Sequence, residues 1–183
     1  MKKDILAIFA GVIVVIILIM GTDFQSVDEY YRTHPDYILP DSKKVTVTIE
    51  CKIILDNMDS LEDGLEKYVP KDGIILKKTA FALKDNDTVF DVLERATQYK
   101  KIHMEYQGAD LNQYSSVYIE GINNLYEFSC GELSGWMYSV NNKFPQRGCS
   151  SYTLKNGDDI VWSYTCDLGR DIGAEFVEGQ NGK

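Results

Sequence analysis

An uncharged apolar run, Ile5 to Met20, preceded by Met1, Lys2, Lys3 and Asp4 and closed by Gly21 and Thr22, dictates how everything after it can fold. Such a run does not stay in water: it crosses a bilayer, or it is cut away as a signal peptide. At about 1.5 Å per residue, residues 5–21 reach roughly 25 Å, just short of the hydrocarbon thickness yet within spanning range. A signal-peptide core is shorter, about 7–15 residues, and ends at a small-x-small site that Ile19-Met20-Gly21 approximates poorly. The sequence therefore favours a retained transmembrane anchor over residues 5–21, with a cleaved, secreted form as the alternative. Lys2 and Lys3 place residues 1–4 in the cytoplasm and send the rest of the chain to the extracellular side.

The cysteines agree with that topology. Cys51, Cys130, Cys149 and Cys166 form an even set beyond the apolar run, where disulfides persist, so two bridges are expected, in any of three connectivities. A four-thiolate zinc site needs closely spaced pairs, and gaps of 79, 19 and 17 positions supply none. The net charge of -9 argues against a nucleic-acid partner. Two histidines, His34 and His103, leave little for imidazole-rich metal sites or His-dependent relays.

Residues 22–43 are polar, carry Pro35 and Pro40, and read as a linker. A domain over 44–171 opens with Val45, Val47, Ile49, Cys51, Ile53 and Leu55 alternating with Thr46, Thr48, Glu50 and Lys52, the period of a half-buried strand. Residues 56–73 are turn-rich, with room for one helical turn, and 74–83 return to strand composition. Thr88-Val89-Phe90-Asp91 has the form of a capping box, followed by Val92, Leu93 and Ala96 at helical spacing, so one helix is expected to about Lys101. Further strands are expected at 102–106, 117–122, 136–140 and 160–165, with turns centred on Asn141-Asn142 and Asn156-Gly157. Residues 172–183 read as a flexible tail.

From Cys130 onward the sequence resembles the transcobalamin C-terminal-like domain, an extracellular family largely known as a domain of unknown function in bacterial surface proteins. The resemblance rests on SGWMYSVN (134–141), the turn Pro145 to Gly148, YTLKNGD (152–158), and the Ile160, Trp162, Tyr164 strand running into Asp167-Leu168-Gly169. DTVFDVL (87–93) and YIEGINNLYEF (118–128) extend it upstream. It implies an α+β, β-grasp-like fold with strand-rich sheets around one main helix. It also implies a corrinoid, cobalamin-like ligand, bound reversibly rather than as a covalent cofactor. In animal cobalamin carriers the similar domain covers one face of the corrinoid and a helical barrel holds the other; this sequence has no room for that barrel, so binding by it alone is expected to be weak. In such a fold the first and last strands are neighbours, and Cys166 continues the parity of Ile160, Trp162 and Tyr164. The expected pairing is therefore Cys51 with Cys166 and Cys130 with Cys149.

The aromatics carry the site expectation. Trp136, Tyr138 and Val140 share one strand face, as do Ile160, Trp162 and Tyr164, a pattern that core packing explains for most members. Phe144, Pro145, Gln146 and Arg147 lie just past a turn, where binding residues collect, and Phe144 is the best single candidate for an exposed contact. The expected ligand-binding set is Trp136, Tyr138, Phe144 and Arg147. Gly131-Glu132-Leu133-Ser134-Gly135 misplaces its serine for a nucleophile elbow, and neither Asp56, Asp59, Glu62 and Asp63 nor Asp85 and Asp87 form a calcium loop. Asn86-Asp87-Thr88 matches a glycosylation sequon, which a bacterial host leaves idle. No catalytic or metal residue emerges, and an enzyme is not expected. A membrane-tethered module capturing a small planar ligand for uptake, with a transporter or second binding protein as partner, stands against a cell-surface protein- or glycan-interaction domain.

Overall fold

The computed structural model describes residues 38–111 and 115–174, and the expected anchor at 5–21 lies outside them, as do residues 175–183 of the expected tail. Among the described residues no helix is long and apolar enough to cross a membrane. The described residues hold seven strands and one α-helix in the order β1 (Lys44–Glu50), β2 (Ile74–Ala82), α1 (Val89–Lys100), β3 (Met104–Gln107), β4 (Tyr118–Ile122), β5 (Leu125–Tyr126), β6 (Gly135–Val140) and β7 (Asp159–Thr165). The architecture is α+β.

The strands form two sheets, one in the order β2-β1-β7-β6 and one in the order β3-β4-β5. First and last strands are neighbours, as expected: β1 and β7 run parallel with Thr46 opposite Asp159 and Glu50 opposite Ser163. The alternation read in β1 buries Val45, Val47 and Ile49 completely, and β7 answers with Ile160, Trp162 and Tyr164. Against this face lies α1, whose Val89, Val92, Leu93 and Ala96 are fully buried, each larger side chain contributing about 1.5–3 kcal/mol. The helix starts where the capping box places it. Thr88 Oγ1 accepts from the Asp91 N–H at 3.3 Å and Asp91 Oδ2 accepts from the Thr88 N–H at 2.8 Å. It ends at Lys101, in the left-handed conformation of a C-terminal cap.

Two expectations need correction. The first strand stops at Glu50 rather than Leu55: Lys52–Asp56 is a 3-10 turn, burying Ile54 and exposing Leu55, the reverse of what alternation requires. The reason is tertiary. Irregular register between β1 and β2 follows Val47, and the Cys51 N–H donates to the Gly73 carbonyl at 2.7 Å just before the 3-10 turn takes Ile53 out of the ladder. Residues 56–73 likewise hold two short 3-10 turns, Met58–Ser60 and Glu66–Tyr68, where one helical turn was expected. At the other end, Ala174 is buried and its N–H donates to the Gly169 carbonyl at 2.8 Å, so packing continues past Asp171.

A second buried cluster, Cys51, Ile54, Leu61, Leu125, Cys130 and Tyr164, fills the far end of the sheet. Tyr164 anchors it by donating its hydroxyl to the Tyr126 carbonyl at 2.6 Å, and burial pushes that phenol's pKa up, so it stays a neutral donor. In this structure the four cysteines are free thiols, so neither of the expected bridges is formed in it. Cys130 lies before β6 and Cys149 beyond its other end, so the length of a strand separates them. Cys166 packs against the cluster that holds Cys51 and Cys130, and the Cys130 thiol donates to the Asn57 carbonyl at 3.5 Å.

Candidate functional site

Strand β6 is an outer strand of its sheet and carries Trp136, Met137 and Tyr138. Two cavities open beside it, about 190 Å³ and about 360 Å³, with Tyr118, Trp136 and Met137 as shared walls. Each rim is built by a turn that the local sequence allows. Asn141 and Asn142 both take positive φ, 51° and 63°, which amide side chains tolerate and a tight hairpin needs. The loop that follows is drawn back by Tyr138, whose hydroxyl donates to the Arg147 carbonyl at 2.7 Å. Burial raises that phenol's pKa as well, with Cys149 and Tyr152 nearby adding to it, so the tether is a neutral donor. The start of β4 docks on the same loop: Ser150 Oγ accepts from the Val117 N–H at 2.9 Å and the Cys149 thiol donates to the Val117 carbonyl at 3.3 Å.

The smaller cavity has an aromatic floor and a polar vacancy in its hydrogen bonding. Trp162, only 2% exposed, lines it with its ring 5.3 Å from that of Tyr138. The Trp162 indole N–H has no acceptor among the described residues. A buried donor without a partner costs about 1–3 kcal/mol, a cost that an acceptor reaching it would remove. Trp136, by contrast, is satisfied: its N–H donates to the Leu125 carbonyl at 2.7 Å and its ring meets Tyr164 edge-on.

The larger cavity is rimmed by exposed apolar side chains. Phe128 is 62% exposed, and Leu133 and Leu168 also stand in solvent. Phe128 and Leu168 hold positive φ, 67° and 48°, a conformation that costs a non-glycine residue about 1–2 kcal/mol. Hydrogen bonds from Phe128 N–H to the Ser134 carbonyl, 3.1 Å, and from Leu168 N–H to the Leu133 carbonyl, 2.9 Å, keep them there. Bulky side chains held outward on strained backbone are what a binding rim requires and a core does not.

Of the residues singled out in the sequence, Trp136, Tyr138 and Arg147 line the smaller cavity. Phe144 is half-buried and outside both linings. Sequence reasoning assigned Trp162 to the core, where it also belongs, and passed over Tyr118, Met137, Phe128, Leu133 and Leu168. Leu168 and Phe128 left a faint signal, each a large apolar residue beside turn-forming neighbours. Ser134 is structural: its hydroxyl donates to the Gly131 carbonyl, accepts from the Cys130 N–H and lies 3.0 Å from the Tyr164 hydroxyl oxygen. Asp87 is taken up by Arg95. Among the described residues no three metal-ligating side chains cluster. A cleft of about 510 Å³ between α1 and β3 is larger, but Glu94, Gln98 and Lys101 make its lining mixed and polar, with Tyr106 as its one aromatic.

Gly148 closes the smaller cavity against Ser116. A Cβ there would lie 1.9 Å from Ser116 Oγ and 2.1 Å from Ser116 Cβ, and a side chain that short cannot swing clear. Gly148→Ala is expected to destabilise the protein by about 1–3 kcal/mol, read as a lowered urea midpoint. An unchanged midpoint would mean that the 148–151 turn yields freely.

No curated protein matches the chain. Among solved structures, haptocorrin in complex with Cbi is similar with a TM-score of 0.47 at 12% identity, over 73% of this chain and 27% of that one. The chain thus spans about a quarter of that protein's length. A protein of Ruminococcus gnavus ATCC 29149, described as a candidate metal binding protein, is similar with a TM-score of 0.40 at 13% identity, over 67% of this chain and 96% of that one. In sequence, residues 86–166, from the turn before α1 through β7 and including every residue that lines the smaller cavity, match the family model described as Domain of unknown function (DUF4430).

Proposed function

We propose that this protein is a membrane-tethered, extracytoplasmic binding module that takes the edge of a small, largely planar ligand into the cavities beside β6. The observation that carries this reading is the partnerless indole N–H of buried Trp162 in an aromatic cavity wall. It calls for a ligand with an apolar body and a hydrogen-bond acceptor, such as an amide carbonyl, at its edge. A corrinoid, whose flat macrocycle bears peripheral amides, has that chemistry, and the resemblance of 134–141 and 152–158 to the transcobalamin C-terminal-like family supports the same choice. A cavity of about 190 Å³ accepts a side group and not a macrocycle, so the ligand's other face is left for a second protein. The exposed Phe128, Leu133 and Leu168 suit such a covering partner, a transporter or a second binding protein. The four-stranded mixed sheet packed on one helix is consistent with a β-grasp relative.

Titrating the full-length chain with cobinamide and with cobalamin, by calorimetry and visible absorbance, tests the reading. Weak but saturable binding is expected. Trp162→Phe should weaken it by roughly threefold to tenfold, the worth of one hydrogen bond, because the N–H is unpaired in the free protein and bonded only in the complex. Phe144→Ala serves as a control outside the lining and should stay within about twofold. Absence of heat at millimolar corrinoid would overturn the ligand assignment and favour a surface protein- or glycan-interaction domain. A mature N-terminus near Thr22 by mass spectrometry would replace the tether with secretion.

A further inference from the structure

Cys130 and Cys166 converge although 35 residues lie between them. The antiparallel register of β6 and β7 sets Gly135 opposite Thr165, so the approach to β6 runs beside the residue that follows β7. Cys166 packs against the buried cluster that holds Cys130, whose thiol also donates to the Asn57 carbonyl at 3.5 Å, and each cysteine shifts the other's titration. Both backbones are pinned at that spot: the Cys130 N–H donates to Ser134 Oγ at 3.1 Å and the Cys166 N–H to Asp171 Oδ2 at 2.7 Å. Asp171 is held in turn by the Thr165 hydroxyl. On either side of the pair lie the two strained rim loops of the larger cavity, joined through Leu168 and Leu133. The other cysteines are worse placed. Cys149 stands beyond the opposite end of β6, its thiol on the Val117 carbonyl. Cys51 follows Glu50, whose partner in β7 is Ser163, so it is level with Tyr164, two residues short of Cys166.

We propose that Cys130 and Cys166 are oxidised to a disulfide by exchange with a disulfide-bearing thiol oxidant, and that this bond fastens the 128–134 and 167–170 loops into one rim. Cys130 is buried and Cys166 half-exposed, so Cys166 is the point of entry. Its sulfur loses a proton and attacks the oxidant's disulfide, giving a mixed disulfide and one oxidant thiol. The Cys130 sulfur then loses its proton and displaces the second oxidant thiol. Two thiols are oxidised, one oxidant disulfide is reduced, and both protons leave on its sulfurs. Burial raises the pKa of both cysteines, with Cys130 raising that of Cys166 further. That slows the first attack, but it also makes the sulfurs poor leaving groups, so the bond resists reduction once formed.

The test uses full-length protein in detergent, incubated with oxidised glutathione, blocked with N-ethylmaleimide and digested without reductant. The expected product joins the peptides of Cys130 and Cys166, while Cys51 and Cys149 are recovered alkylated after unfolding. Recovery of Cys130 joined to Cys149, of Cys51 joined to Cys166, or of four alkylated thiols would overturn the assignment. A second measurement compares thermal melts. Reduction should lower the Tm of oxidised wild type by roughly 5–15 °C and leave Cys166→Ser unmoved. Should that variant fail to fold, Cys149→Ser is expected to keep both the cross-link and the reductant-dependent drop, and their loss there would overturn the proposal equally.

Discussion

Asp87→Ala should cost about 3–5 kcal/mol, the amount expected when one partner of a buried ion pair is removed and the other is left uncompensated. Asp87 and Arg95 are 7% and 8% exposed, and they meet through two nearly parallel hydrogen bonds of 2.8 and 2.6 Å. The same guanidinium donates to the Ala82 carbonyl at the end of β2, and Asp87 Oδ2 accepts from the Lys84 N–H. The Asp87 carbonyl takes the Leu154 N–H at 2.9 Å. One pair thus ties the end of β2, the start of α1 and the loop before β7. A loss of that size would exhaust much of a small domain's stability, so unfolding at room temperature is a realistic result for the alanine variant. Urea denaturation checks it. The double variant Asp87→Ala, Arg95→Met should recover part of the loss because no charge is then buried alone. A single-variant cost below about 1 kcal/mol would reduce the pair to the worth of a surface bridge.

Trp136→Ala is expected to be the next most damaging change, about 3 kcal/mol, the low end for a large aromatic because Trp136 is half-buried. Three things are lost together: the edge-on contact with Tyr164 at 5.3 Å, the donor to the Leu125 carbonyl, and the wall shared by the two cavities. Trp136→Phe separates them. It keeps most of the ring packing but leaves the carbonyl of fully buried Leu125 without its donor, for about 1–3 kcal/mol. If melting curves of the two variants coincide, the hydrogen bond dominates. If the phenylalanine variant melts like wild type, packing does.

Features set within one turn or one strand were legible in the sequence. The capping box at Thr88 and Asp91 places the start of α1, because both partners lie three residues apart and need no tertiary help. Alternation marks the buried faces of β1 and β7, since the pleat sends every second side chain the same way. Asn141-Asn142 announces its turn because few residue pairs accept positive φ twice in succession. Trp136, Tyr138 and Arg147 were reachable for the same reason, being a strand face and the loop that follows it.

What failed to be legible depends on chain segments far apart in sequence. Ile53 and Leu55 keep the strand alternation, yet Gly73, reached only through the fold, captures the Cys51 N–H just before the 3-10 turn leaves the ladder. The larger cavity is assembled from residues between Tyr118 and Leu168, and no single segment carries its signature. Whether Trp162 is merely core or also a donor to a ligand turns on the absence of a nearby acceptor, a property of its surroundings rather than of its strand. The cysteines divide in the same way. Their number and their position beyond the apolar run follow from the sequence alone. Their neighbours do not, because the register of β6 against β7, set by side chains packing across the sheet, brings Cys130 to Cys166 and carries Cys149 to the opposite end.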